Sequence, residues 1–331
     1  MTDRQSILVF AAIIVVSAVL GLMVGNPYYL RLGTYVAIYS IVTIGLNLLF
    51  GNAGQISLGH AGFFAIGAYG SAILMKNFGF PFLVALVLAT LLSGLVGVLI
   101  GYTALRLKGH YLAMATLAFG LIVFGLLVEV DYTGSTSGIT GIPPISLLGY
   151  NITDPRGSYL FTWAVVGVVY LVSLSLLFSR VGRALIAIRE DETAAATTGI
   201  DVARYKIQVF AISAAYAGVA GAIYASYMAL INPFTFGAEL SITFLMMIVV
   251  GGLGSVPGSV LGAAILTILP EFGRQWENYR LTGYGVLLVL LVVFAPQGLT
   301  GILASLTDRI AAVLNAPREK LPQESERIAN Q

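Results

Sequence analysis

The residues able to do chemistry in this chain are few, and they gather in two places. Ser179 to Lys206, SRVGRALIAIREDETAAATTGIDVARYK, packs nine charged residues into one stretch. Gly45 to Phe63, GLNLLFGNAGQISLGHAGF, concentrates neutral polar groups instead: Asn47, Asn52, Gln55, Ser57 and His60. Neither set reads as a catalyst. The chain has no G-x-x-x-x-G-K-[ST] phosphate loop, no H-E-x-x-H and no G-x-S-x-G. Two histidines without a cysteine do not make a conventional zinc site. The reading is therefore of no catalytic residue, no metal site and no cofactor. The charged stretch can dock a partner, its charges setting register and its apolar residues supplying contact area, or it can be a solvated connector. The polar set can line a passage, or it can hydrogen-bond helices together where no water is available.

The surroundings decide what these groups are positioned by. Of 331 residues, 58% are hydrophobic and only 10% charged, with a mean hydropathy of +0.93, whereas ordinary soluble domains are about a quarter charged. The chain is expected to sit mainly in lipid. A net charge of +2 gives no footing for nucleic acid, and the absence of cysteine excludes disulfides and thiolate chemistry. A bilayer core takes about 20 helical residues to cross. Ile7 to Gly25, Leu32 to Phe50, Phe80 to Leu105, Tyr111 to Val128, Tyr159 to Phe178, Ile207 to Ile231 and Tyr284 to Leu303 each lack Asp, Glu, Lys and Arg. Leu58 to Met75 reads as one further helix despite its glycines. Ile242 to Pro270 reads as two short ones, broken at Gly251-Gly252-Leu253-Gly254-Ser255-Val256-Pro257-Gly258.

The fold class that follows is an all-α, polytopic membrane protein of about ten transmembrane helices with glycine-interrupted segments. With the N-terminus inside, twelve basic residues fall on the inner side and five on the outer, so the positive-inside rule puts both termini in the cytoplasm. The first run exceeds a signal-peptide core and no small-x-small cleavage site follows it, so it reads as a span. Residues 1–306 form the membrane domain, 179–206 an inside loop, and 307–331 a polar cytoplasmic tail. All 32 charged residues lie outside these spans, which argues against a proton relay within this chain. Sodium coupling through unwound carbonyls stays open.

Within the inside loop, Arg183 to Thr198 has helix formers, Gly199 is placed as the stop, and Asp201 as the cap of the next helix. Ala184, Leu185, Ile188 and Ala195 form an apolar strip beside the charged run Arg189-Glu190-Asp191-Glu192. Two regions carry the composition of hinges or broken helices: Gly51 with Gly54, and Gly251, Gly252 and Gly254 with Pro257. The long polar loop from Glu129 to Ser158 can meet a soluble protein or be an inert surface.

Several blocks together resemble a known family. Gly182-Arg183-Ala184, Ala187 to Glu192 and Gly199-Ile200 are similar to the cytoplasmic loop of bacterial ABC-importer permeases of the branched-chain amino acid class, the LivM type. Gly45 to Phe63, Gly109 to Leu117 and Gly251 to Ser255 resemble that family's other signatures, in the same order. The resemblance implies a permease subunit in the bacterial inner membrane with four kinds of neighbour: a second permease of LivH type, two cytoplasmic ATPases, a periplasmic solute-binding protein, and lipid. It makes Arg183, Arg189, Glu190, Asp191, Glu192 and Gly199 the ATPase-coupling residues. One departure stands out. The broader importer pattern Glu-Ala-Ala-x-x-x-Gly puts its Glu at Thr193, and here the acid is one residue earlier, at Glu192. Urea or short amides are alternative cargoes, and a self-standing sodium-coupled carrier or channel is the alternative mechanism.

Overall fold

The computed structural model describes residues 12, 15–17, 19–23, 25–104, 107, 109–147, 149–272 and 285. About half of the first expected span, all but one residue of the last, and the polar tail lie outside the described residues.

Helix α1 (Pro27–Asn47) starts where Asn26 Oδ1 accepts from Tyr28 N–H at 3.0 Å and Pro27, which has no N–H to leave unpaired, takes the first position. It widens into a π-turn at Leu48–Asn52. There follow α2 (His60–Phe78), α3 (Phe82–Ala104), α4 (His110–Glu129) and α5 (Pro155–Phe178), the last capped by Asp154. Two short helices, α6 (Arg180–Glu190) and α7 (Glu192–Thr197), then lead into α8 (Val202–Met228). The described part ends with α9 (Ala238–Gly251) and α10 (Val256–Phe272). α1 with its π-turn, α3, α4, α5 and α8 are long and apolar enough to cross a membrane. At 1.5 Å per residue α9 and α10 reach only about 21 and 25 Å, short of a bilayer core of about 30 Å. The expected division of Ile242 to Pro270 into two short helices is thus found.

α8 is the centre of the bundle, packed by α3, α2 and α1, while α1 also meets α5 and α10. In lipid the hydrophobic effect does not drive helices together, so contact comes from close backbone approach and polar side chains. The α2–α8 pair shows the first device: a Cβ on Gly67 would lie 2.2 Å from the Gly218 carbonyl oxygen. Ser93 shows the second, its Oγ donating to the Ala214 carbonyl at 2.7 Å. α1 and α8 are largely buried. α3 and α4 lie outermost, and Leu91, Leu95 and Leu99 with Ile122 and Leu126 project from them at helical spacing as an apolar outer face.

Two features depart from the expected pattern. The loop after α4 is not irregular: Ile139–Thr140 (β1) pairs antiparallel with Leu230–Ile231 (β4), and Ile145–Leu147 (β2) with Tyr150–Ile152 (β3). These short strands bury Ile139, Ile142 and Ile145 as a cap over one end of an otherwise helical molecule. The loop helix expected over Arg183 to Thr198 starts earlier, at Arg180, and is cut in two. Asp191 leaves helical geometry (φ −157°, ψ 111°) and its Oδ1 accepts from the N–H of Thr193 and Ala194, at 2.7 and 3.0 Å, capping α7. A short acid whose side chain competes for backbone N–H groups ends one helix by starting another.

Candidate functional site

At the end of the bundle opposite the strand cap, the two glycine-interrupted regions meet. Asn47, the last residue of α1, is 1% exposed and gives its whole amide to the other interruption. Its Oδ1 accepts from Gly254 N–H at 2.7 Å. Its Nδ2 donates to the Ser255 carbonyl at 2.8 Å and to Ser259 Oγ at 2.7 Å, with the Gly252 carbonyl at 3.3 Å. Backbone that leaves the helix inside an apolar bundle needs partners from elsewhere in the protein, and Asn47 supplies them to the turn between α9 and α10. Thr43, one turn earlier, adds a bond from its Oγ1 to the Ser259 carbonyl at 3.2 Å.

Glycine is required where these turns touch. A Cβ on Gly51 would fall 1.9 Å from Asn47 Oδ1 and 2.3 Å from Gly254 N, which no side chain fits. Gly254 (φ +82°) sits in the left-handed region that lets the turn reverse. Gly54 and Gly252 also have positive φ, Gly251 closes α9 against the Gly258 carbonyl, and Pro257 lies in the first turn of α10, where its missing N–H costs nothing.

The other polar residues of Gly45 to Phe63 serve the first interruption. Asn52 Nδ2 donates back to the Asn47 carbonyl at 3.2 Å. His60 is fully buried, with Nδ1 hydrogen-bonded to Ser57 Oγ at 3.0 Å and Nε2 to Ser213 Oγ at 2.7 Å. Thr116 on α4 accepts from Leu58 N–H, and Ser241 on α9 accepts from Ala61 N–H, both at 2.9 Å. Gln55 is 4% exposed, and its Nε2 finds no partner among the described residues. Asn47 and Asn52 thus form one hydrogen-bonded group, the joint with the turn between α9 and α10, and Ser57 and His60 form a second that reaches Ser213. Gln55 is the one buried among them with an amide N–H unmatched.

The charged stretch lies at the same end. The apolar strip expected on it is buried: Leu185, Ile188, Ala184 and Ala195 face the bundle. Gly199 (φ +86°) closes α7, and Asp201 Oδ1 caps α8 by accepting from Arg204 N–H at 3.0 Å. Asp191 is the cap of α7 described above. Glu192 forms an ion pair with the buried Lys206 at the start of α8. Arg189 Nη1, from an exposed position on α6, donates to the Gly51 carbonyl in the π-turn. Arg183 Nη1 bonds the Phe178 carbonyl at 3.2 Å from an exposed position. With Ile186 and Glu190 it makes an outward stripe on α6.

Reading the sequence for charges and glycines missed Thr43, Thr116, Ser213, Ser241, Ser255 and Ser259, whose hydroxyls and carbonyls complete the joint. Their signal was their position: small hydroxyl residues inside or beside apolar helices, where lipid gives them no partner. At the opposite end a cavity of about 390 Å³ is lined by Arg31, Tyr35, Ile145, Ser158 and Tyr227, among others.

Comparisons with known proteins agree with this architecture. The family described as branched-chain amino acid transport system / permease component matches residues 28–295. The chain is 36% identical over 311 residues to the high-affinity branched-chain amino acid transport system permease protein LivM of Salmonella typhimurium, covering 85% of this chain and 73% of that one. It is 28% identical to the probable LivM permease of Methanocaldococcus jannaschii, over 79% of this chain and 90% of that one. It is 27% identical to the LivH permease of Escherichia coli K12, over 80% and 91%. No solved structure matches. Matched over most of its length by the family pattern and by LivM, this multi-pass helical membrane protein belongs to the branched-chain amino acid transport permease family.

Proposed function

We propose that the chain is one of two membrane subunits of an ATP-driven importer, passing branched-chain or other apolar amino acids from a periplasmic binding protein to the cytoplasm. A LivH-type permease is its neighbour in the membrane, and two cytoplasmic ATPases supply the energy. The observation that carries this reading is the placement of α6. Its apolar side is packed on the bundle beside both interrupted helices, and its outward stripe of Arg183, Ile186 and Glu190 is left for a partner. A helix held that way can receive a force and pass it to the membrane segments. A channel or sodium-coupled carrier has no use for it. The match to permeases named LivM and LivH supports a pair of related subunits and the amino-acid cargo.

In this reading residues 1–306 are the permease, 179–206 the coupling loop, and 307–331 a cytoplasmic tail, with ten crossings and both termini inside. The polar groups of Asn47, Asn52, Ser57 and His60 then border the inner end of the pathway, with Gln55, whose Nε2 has no partner among the described residues, beside them. The cavity around Arg31 mixes apolar side chains with the hydroxyl groups of Ser158, Ser226 and Tyr227, and the Arg31 guanidinium suits a solute that carries a carboxylate. Reconstitution in proteoliposomes tests the assignment. The full set of subunits with ATP inside the coupling compartment is expected to concentrate labelled leucine, and the lone chain to do neither that nor hydrolyse ATP. Concentrative uptake by the lone chain would overturn it.

A further inference from the structure

We propose that Arg189 is a positioning residue for transport: it ties the coupling helix α6 to the joint between the two interrupted segments, instead of serving as a contact for the ATPase. The inference rests on the permease reading above and assigns a step within it.

Three parts of the chain converge at this arginine. Its Nη1 donates to the Gly51 carbonyl of the π-turn. The same nitrogen lies 3.5 Å from where a Cβ on Gly254 would stand, and the Gly51 oxygen lies 3.3 Å from that point. Its Cγ lies 3.4 Å from the corresponding position on Gly54. The side chain of Arg189 therefore covers both turns at once, and one residue of loop helix spans the end of α1 and the turn from α9 to α10. Asn47 locks those same turns together from the inside, through Gly254 N–H and the Ser255 carbonyl. A displacement of α6 has a route into two membrane segments made of hydrogen bonds and backbone contact: Arg189 bonds Gly51, Gly51 packs against Gly254, and Gly254 bonds Asn47.

The chemistry suits a tether. A guanidinium donating to a carbonyl at the C-terminal end of a helix makes a charge-assisted bond reinforced by the helix dipole. Its planar fork holds direction better than an ammonium on a flexible stem. α6 is able to move as a unit. Leu185 and Ile188 seat it on the bundle, and the break at Asp191 separates it from α7, which is anchored to α8 by Glu192 and Lys206. The charges of one short run thus divide their work: Arg189 faces the joint, Asp191 and Glu192 hold α7, and Glu190 with Arg183 faces outward.

The test uses the whole transporter with Arg189→Ala and Arg189→Lys. Three quantities are read: ATPase subunits co-purified with the permease, ATP hydrolysis, and leucine uptake per ATP. The expected result is wild-type co-purification and hydrolysis within about two-fold for both variants. Uptake per ATP should fall at least ten-fold in Arg189→Ala, with Arg189→Lys in between. A spin-label pair at Ala187→Cys and Leu253→Cys, in a chain with no cysteine of its own and with partner subunits labelled separately as the control, should change distance with nucleotide only when Arg189 is present. Equal uptake per ATP in all three forms, or loss of ATPase co-purification in step with uptake, overturns the proposal. Wild-type uptake that needs no ATP overturns the permease reading itself, an outcome told apart because it appears before any variant is made.

Discussion

Asn47 and His60 are both buried polar residues near the same end of the bundle, and they do opposite kinds of work. Asn47 serves backbone: its amide satisfies N–H and carbonyl groups that a broken helix has released. His60 serves side chains, linking Ser57 to Ser213. Gly254 N–H has no other partner among the described residues once Asn47 is lost, while the Ser255 carbonyl keeps Ser259 N–H. Serines on helices do have a second choice, because a hydroxyl can turn to a carbonyl of its own helix. One backbone N–H of the second interruption therefore rests on Asn47, whereas His60 links hydroxyls that can re-pair.

Substitutions at the joint can break or sharpen that contrast. The largest effect is expected at Gly51, where any Cβ strikes Asn47 Oδ1 and Gly254 N together; Gly51→Ala should cost upwards of about 3 kcal/mol, read as a fallen unfolding midpoint in detergent. A wild-type midpoint would mean that the two turns do not touch. Next is Asn47→Leu, which orphans Gly254 N–H and takes one of its donors from the Ser255 carbonyl, still held by Ser259 N–H at 3.1 Å, and should cost about 2 kcal/mol. Hydrogen exchange at residues 252–259 should rise most, and exchange raised equally at 53–60 would erase the distinction between the two interruptions.

His60→Leu is expected to cost less, about 1 kcal/mol, since interhelical side-chain bonds in membranes are modest and both serines can re-pair. A loss at His60 as large as at Asn47 would put both in the same class. The smallest change has the opposite sign. Gln55→Met removes a buried amide whose Nε2 has no partner among the described residues, at similar volume, and should stabilise the fold by up to about 1 kcal/mol, raising the midpoint. If the proposed pathway role holds, the same variant should slow uptake, because the amide it removes is the one free to meet solute.

Much of this was legible in the residues. Uncharged runs located the helices, and the glycine string from Gly251 to Gly258 marked a break where one was found. The apolar strip of Ala184, Leu185, Ile188 and Ala195 gave the buried side of the loop helix. The run Arg189 to Glu192, read from the sequence as one charged run beside the apolar strip, is divided between two helices. Helical spacing gives each of these residues a different direction, and Asp191 takes itself out of the helix altogether. The strand cap was also invisible, since strands of two and three residues leave no periodic signal.

By itself the sequence determined that the chain lives in lipid, roughly where it crosses, where it breaks, and which stretch carries its charge, because those follow from local composition and period. The tertiary structure alone decided that the two breaks meet, that Asn47 bonds across them, and that Arg189, exposed on α6, reaches the Gly51 carbonyl. Those facts depend on residues about 140 and 200 positions apart, and the physical reason they pair is that freed backbone in an apolar bundle takes whatever donor or acceptor the packing brings within reach.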